Sequence, residues 1–152
     1  RHLTNLEQHQ IRKTRPMPWD PSQYLKFAGH RLRPAVDLLN RVNLESPSLV
    51  YDLGAGAGNV TELLATRWPD ARIIGIDDSE EMLQQAAKRA ANIEWEVGDI
   101  GSWTPKEPAE LIFTNAALHW IGDHTDLFTR LMSSIAAGGV FAVQMPRNFG
   151  AL

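Results

Sequence analysis

Residues Val50 to Asn59 constrain the fold more than any other stretch: Val-Tyr-Asp-Leu-Gly-Ala-Gly-Ala-Gly-Asn. An apolar run leads into three glycines at alternate positions, Gly54, Gly56 and Gly58, and helix-forming residues follow. Glycine has no Cβ and tolerates positive φ, so such a turn offers bare backbone to whatever approaches it. A strand, a glycine-rich turn and a helix in this order open a βαβ unit.

The rest of the chain repeats that alternation. Strands are predicted at about 49–53, 72–77, 93–97, 109–114 and 140–144. Helices are predicted from Asn59 as N-cap, from about 79 to 90, and from Asp123 to Ala136 with Gly138 and Gly139 as its stop. Val60, Leu63 and Leu64 face inward on the first of these helices, Met82, Leu83 and Ala86 on the second, and Leu127, Leu131 and Ile135 on the third. The expected architecture is α/β, a parallel sheet with right-handed crossovers and helices on both faces. The near-continuous apolar strands fit burial on both sides. Ahead of this unit, Asp20-Pro21-Ser22-Gln23 reads as a helix start, and a second helix runs from roughly Leu32 to Val42. The expected organisation is a flexible extension over 1–16, N-terminal helices over 17–48 acting as a cofactor and substrate lid, and an α/β domain over 49–152.

Two cofactor classes use a turn of this kind. A dinucleotide sets its pyrophosphate on the helix N-terminus, with glycines spaced G-x-G-x-x-G. Here the spacing is G-x-G-x-G, Asn59 takes the third dinucleotide position, and Asp52 would repel a pyrophosphate. S-adenosylmethionine carries an ammonium and a sulfonium, which an acid at a strand end attracts. A tight turn without a ligand is the bland alternative. Asp77 ends the second strand about twenty residues past the glycines, the offset at which a carboxylate accepts from ribose hydroxyls. Asp99 follows the third strand, where it could accept from an adenine amino group while the Ile100 backbone meets the ring edge. Alternatively, Asp77 caps the next helix and Asp99 only shapes a turn.

Composition narrows the classes further. The 152 residues suit one ordinary domain, and 43% hydrophobic residues suffice for a core. A net charge of −3 gives no electrostatic footprint for nucleic acid. The absence of cysteine excludes disulfides and thiolate metal sites, and the five histidines show no metal-ligand spacing. No apolar run approaches a membrane span and no signal peptide is apparent, so the expectation is a soluble, cytoplasmic protein.

The segments at 50–64, 75–83, 97–100 and 111–120 resemble motifs I to IV of the class I S-adenosylmethionine-dependent methyltransferases, whose fold is Rossmann-like. Trp19 to Phe27, Arg31 to Leu39, Asn115 to Trp120 and Val143 to Asn148 are similar to the trans-aconitate 2-methyltransferases, so that the likeness runs over about 17–149. The resemblance implies cofactor contacts at Asp52, Gly54, Asp77, Asp99, Ile100 and Asn115. It also implies a chain truncated after strand five, lacking the last two strands and much of the substrate cover. Transfer to a carboxylate needs orientation more than acid–base help, because a carboxylic acid is already ionised at neutral pH. A polycarboxylate substrate would need cations, and Arg31, Arg33, His119 and Arg147 are the candidates. Both arginines on the N-terminal helix could equally lie on a solvated face, and His119 could pack beside Trp120. Tyr24 could close over the methionine part of the cofactor or simply pack, and Trp19, Trp103 and Trp120 could serve core or lid. The leading expectation is an O-methyltransferase acting on a small carboxylate of the trans-aconitate type. The alternatives are a cofactor-binding fragment without turnover and a nicotinamide-dependent oxidoreductase. An unpaired fifth strand would also invite self-association.

Overall fold

The computed structural model describes residues 19–118 and 121–146, without the side chains of residues 24, 25, 27 and 28. The expected extension over 1–16, His119, Trp120, Arg147 and the Tyr24 side chain therefore lie outside the described residues.

The chain runs α1 (Pro21–Arg41), β1 (Leu49–Leu53), α2 (Asn59–Arg67), β2 (Arg72–Asp77), α3 (Glu80–Arg89), β3 (Glu94–Val97), β4 (Ala109–Asn115), α4 (His124–Ser133) and β5 (Ile135–Gln144). The strands form one sheet in the order β3-β2-β1-β4-β5. All four pairings are parallel. The order reverses beside β1, which has β2 on one side and β4 on the other. In open α/β sheets the ligand crevice lies at such a switch point, outside the carboxyl ends of the strands.

Strand periodicity splits the core between the two faces. Val50, Ile73, Leu111 and Phe113 pack with Val36 and Leu39 of α1 and Leu63 and Leu64 of α2. Leu49, Tyr51, Leu53, Ile74 and Ile112 pack on the other face with Leu127 and Leu131 of α4. The predicted double-sided burial is present, and β1 is buried at all five positions.

The two predicted N-terminal helices form one run broken at Gly29, which has φ 67° and ψ 178°. A straight helix would separate residues 19 and 40 by about 30 Å. Instead the Trp19 indole Nε1 donates to Asn40 Oδ1 at 3.0 Å, so the first segment folds back on the second. Pro34, one turn beyond the break, has no N–H to give to the preceding turn. Asp20 caps the helix as expected, accepting from the Ser22 N–H at 2.9 Å. At the far end, Arg67 of α2 donates to the carbonyls of Leu39 and Val42 and stacks over the Trp68 ring, locking the end of α1 to α2.

Four local expectations are corrected. The N-cap of α2 is Gly58, in left-handed backbone, and Asn59 is the first helical residue. Met82 is 37% exposed, unlike buried Leu83 and Ala86. Helix α4 stops at Ser133, short of the expected Ala136. Strand β5 begins at Ile135, which pairs with Ala109 before a register shift brings Val140 opposite Leu111. The predicted helix stop at Gly138 and Gly139 is in fact an irregular stretch inside β5, with Gly138 at φ 78°.

Candidate functional site

The three loop glycines all adopt positive φ, at 75°, 56° and 87° for Gly54, Gly56 and Gly58. The Gly54 and Ala55 N–H groups both donate to the Ile76 carbonyl, at 2.8 and 2.9 Å, tying the loop to the end of β2. One oxygen of Asp77 accepts from the Gly56 N–H and the other from the Ser79 N–H, both at 2.9 Å. Asp77 thus joins the glycine loop to the start of α3, while the N-cap of that helix is Ser79. A carboxylate has about four acceptor sites, so these two bonds leave it capacity for a ligand.

Space explains the glycines as much as φ does. A Cβ on Gly54 would lie 2.4 Å from the Ala117 Cβ, so this glycine keeps the loop clear of the residues after β4. A Cβ on Gly58 would meet the Trp95 ring at 2.7 Å and Ala86 at 3.0 Å, and one on Gly75 would meet the same ring at 2.5 Å. Trp95 of β3 therefore packs against the loop in a slot of small residues. Its indole Nε1 is buried with no hydrogen-bond partner among the described residues.

Between the loop and the end of β4 lies a cleft of about 320 Å³, lined by Gly54, Asp77, Asp78, Gly98, Asp99, Ile100, Ala116, Ala117 and Ile121. It lies at the carboxyl rim of the sheet, where the strand order reverses. The Asp99 carboxylate accepts from the Gly101 N–H at 2.8 Å. Arg130 of α4 holds the same loop by donating to the carbonyls of Ile100, Gly101 and Trp103. Ala116 has φ 55°, the one positive value outside glycine among the described residues. Left-handed backbone at a non-glycine residue is unusual and clusters at ligand sites. Beside it, Asn115 Oδ1 is buried with no partner among the described residues.

Asp52 does not line this cleft. Residues 50 and 52 of β1 face α2, so its carboxylate points beneath the loop, 2% exposed, and accepts from the Thr61 hydroxyl at 2.7 Å. Burial pushes its pKa up to about 7; the Thr61 bond opposes that rise and the charge of Asp77 adds to it. A carboxyl of this kind is not the open counter-charge expected from its place in the sequence.

The profile of the "Methyltransferase domain" family covers residues 50–139. The chain belongs to this methyltransferase-domain family. Among curated relatives it is similar to the trans-aconitate 2-methyltransferase of Azoarcus sp. (strain BH72), 49% identical over 131 residues, which are 86% of this chain and 52% of the relative. It is likewise similar to the trans-aconitate 2-methyltransferase of Methylobacterium nodulans, 51% identical over 130 residues, which are 86% of this chain and 50% of the relative. The chain thus spans about half the length of the curated relatives it matches. Among solved structures, an S-adenosylmethionine-dependent methyltransferase from Mesorhizobium loti superposes with a TM-score of 0.65 at 26% identity, over 75% of this chain and 53% of that one.

Within this methyltransferase domain the structure brings Gly54, Asp77, Asp99 and Ile100 to one cleft. Gly56 and Gly58 serve the loop's own bonding and packing. Arg33 is exposed and pairs loosely with Asp37, at 3.9 Å. Arg31 is exposed as well. The sequence reading missed Asp78, Gly98, Ala116, Ala117 and Ile121 on the cleft wall, and Arg130 behind it. Asp78 directly follows Asp77, a predicted ligand residue, and that adjacency is a signal the sequence carries. Arg130 acts across 27 to 30 positions of sequence, and only the fold reveals that.

Proposed function

We propose that the cleft binds S-adenosylmethionine and that the chain serves methyl transfer to a carboxylate oxygen of a small polycarboxylate, of the trans-aconitate type named for its relatives. The observation that carries this reading is the cleft itself. It has acids at the ends of β2 and β3 and a glycine held clear of the opposite wall, and behind Ala116 the buried Asn115 Oδ1 has no partner among the described residues. Asp77 has acceptor capacity for ribose hydroxyls, and Asp99 with the Ile100 backbone suits an adenine edge. Asn115 Oδ1 suits a cationic N–H donor. When bound, S-adenosylmethionine supplies an electrophilic methyl group to the carboxylate oxygen and leaves as a neutral thioether. The residues need move no proton, because the acceptor is already ionised at neutral pH. Their contribution is to hold the two reactants in line.

The N-terminal helices over 17–48 act as a lid in this reading, and its setting is the cytoplasm. No helix among the described residues is long and apolar enough to cross a membrane. The outer edge of β5 pairs with no strand among the described residues, and we assign it to contact with a second copy. A monomer in light scattering at high concentration would remove that assignment.

Calorimetric titration with S-adenosylmethionine tests the main reading, with Asp99→Ala as the comparison and a thermal melt to check folding. The expected result is saturable binding that weakens at least about tenfold in the variant, the value of one or two charge-assisted hydrogen bonds. Formation of S-adenosylhomocysteine dependent on trans-aconitate would separate an enzyme from a fragment that only binds. A folded chain that ignores the cofactor would overturn the reading.

A further inference from the structure

The chain is acidic overall, yet between Asp20 and Asp37 it carries Lys26, His30, Arg31 and Arg33 and no acid. Three of these side chains converge. Lys26, His30 and Arg33 line, with Gly29, a cleft of about 290 Å³ at the elbow of α1. Counter-charge there is thin. Arg33 pairs with Asp37 at 3.9 Å, both side chains being more than half exposed, and such a pair contributes little. Lys26 is the smallest of the influences that hold the Asp20 carboxyl low. Gathering cations around one cavity is unfavourable unless an anion joins them.

The elbow is built by a backbone conformation open essentially to glycine alone. A Cβ on Gly29 would meet nothing within 4 Å, so crowding does not account for the glycine, whereas the reversal of the chain does. Its height is fixed by the elements beneath it. The C-terminal end of α1 is tied to the last residue of α2, at the opposite end of the sheet from the glycine loop. From there back to His30 the helix rises about 18 Å. The five residues of β1 rise about 16 Å. The elbow therefore stands level with the carboxyl rim. The second segment packs on Val50, Leu111, Phe113 and Ala142, so the elbow overhangs the β1, β4 and β5 side of the rim. Asp77 and Asp99 lie on the opposite, β2 and β3 side.

We propose that this elbow cleft holds the non-reacting carboxylates of the methyl acceptor, through Lys26, His30 and Arg33 and not Arg31. The inference rests on the carboxylate-transfer reading above and adds the device that selects a polycarboxylate over a monoacid. Its test is calorimetric titration with trans-aconitate, with and without S-adenosylhomocysteine, on the whole chain and on the Lys26→Gln/His30→Gln/Arg33→Gln variant. The variant should bind trans-aconitate at least about tenfold more weakly, as befits loss of charge-assisted bonds. Its S-adenosylhomocysteine affinity should be unchanged and its urea midpoint no lower than that of the wild type. Arg33→Lys should retain most of the affinity, and crotonate, a monoacid, should bind weakly to both chains. Equal trans-aconitate binding by wild type and variant would overturn the proposal, as would no trans-aconitate binding by a chain that binds S-adenosylhomocysteine. Inorganic phosphate competing as well as the tricarboxylate would overturn it too, reducing the cleft to a general anion site. Failure to bind S-adenosylhomocysteine would instead remove the cofactor reading; the trans-aconitate titration without cofactor would still decide the elbow.

Discussion

The glycine loop after β1 and the elbow in α1 both turn on glycines at positive φ, and their surroundings are opposite. At the loop, Gly54 and Gly58 are needed twice over, for φ and for room: Ala117 stands against one and Trp95 with Ala86 against the other. Gly29 has open space around it and is needed for φ alone. Beneath the loop lies a buried carboxylate, and around the elbow stand exposed cations. The crowded bend is part of the core and should answer to packing, whereas the open bend should answer only to local backbone preference. Glycines that share a positive φ thus carry different energetics, set by their ψ and by the neighbours the fold supplies.

The largest effect is expected for Gly58→Val. Overpacking against the Trp95 ring and left-handed backbone together should lower stability by about 4 kcal/mol, measured by urea denaturation. Adding Trp95→Leu should relieve part of this, so that the double variant is about 1 kcal/mol or more better than the sum of its parts. Strict additivity would show that φ alone governs the loop and would erase the contrast with the elbow.

Per pH unit, a smaller effect belongs to the acid under the loop. Asp52 has its folded pKa raised from 3.8 to about 7, so between these values the native state holds a proton that the unfolded chain releases. Stability associated with this group is therefore complete below about pH 4, falls as pH rises through the window, and is constant above about pH 7. The slope is at most about 1.4 kcal/mol per pH unit, with a total on the order of 4 kcal/mol. Asp52→Asn retains an acceptor for the Thr61 hydroxyl and should flatten this part of the profile in pH-dependent urea melts. An unchanged slope would mean that Asp52 is ionised in the folded protein.

The smallest effect is expected for Gly29→Ala, about 1–3 kcal/mol from backbone preference alone. Combined with Trp95→Leu it should be additive, the two sites sharing no partner. A loss as large as that of Gly58→Val would show hidden crowding at the elbow and break the comparison.

How much was legible in advance varied with the range of the interactions involved. The alternation of strands and helices, the glycine turn, and the acids Asp77 and Asp99 could be read because each depends on neighbours a few residues away. The end of α4 could not. Gly138 and Gly139 carry the chemistry of a helix stop, yet pairing of Ile135 with Ala109 draws the segment into β5 ahead of them. The burial of Asp52 was not legible for a related reason: its place at a strand end was visible, but the side of the sheet it faces follows from where α2 packs.

By itself the sequence determined that a parallel α/β sheet would carry a glycine turn, with acids at the ends of β2 and β3, because hydrophobic period and glycine placement act locally. Tertiary structure decided which side of the sheet each acid serves, that Trp95 packs against the loop, that Arg130 braces the cleft, and that Lys26, His30 and Arg33 meet at one elbow. Those outcomes depend on surfaces brought together from distant positions, and no local pattern encodes the direction from which a neighbour arrives.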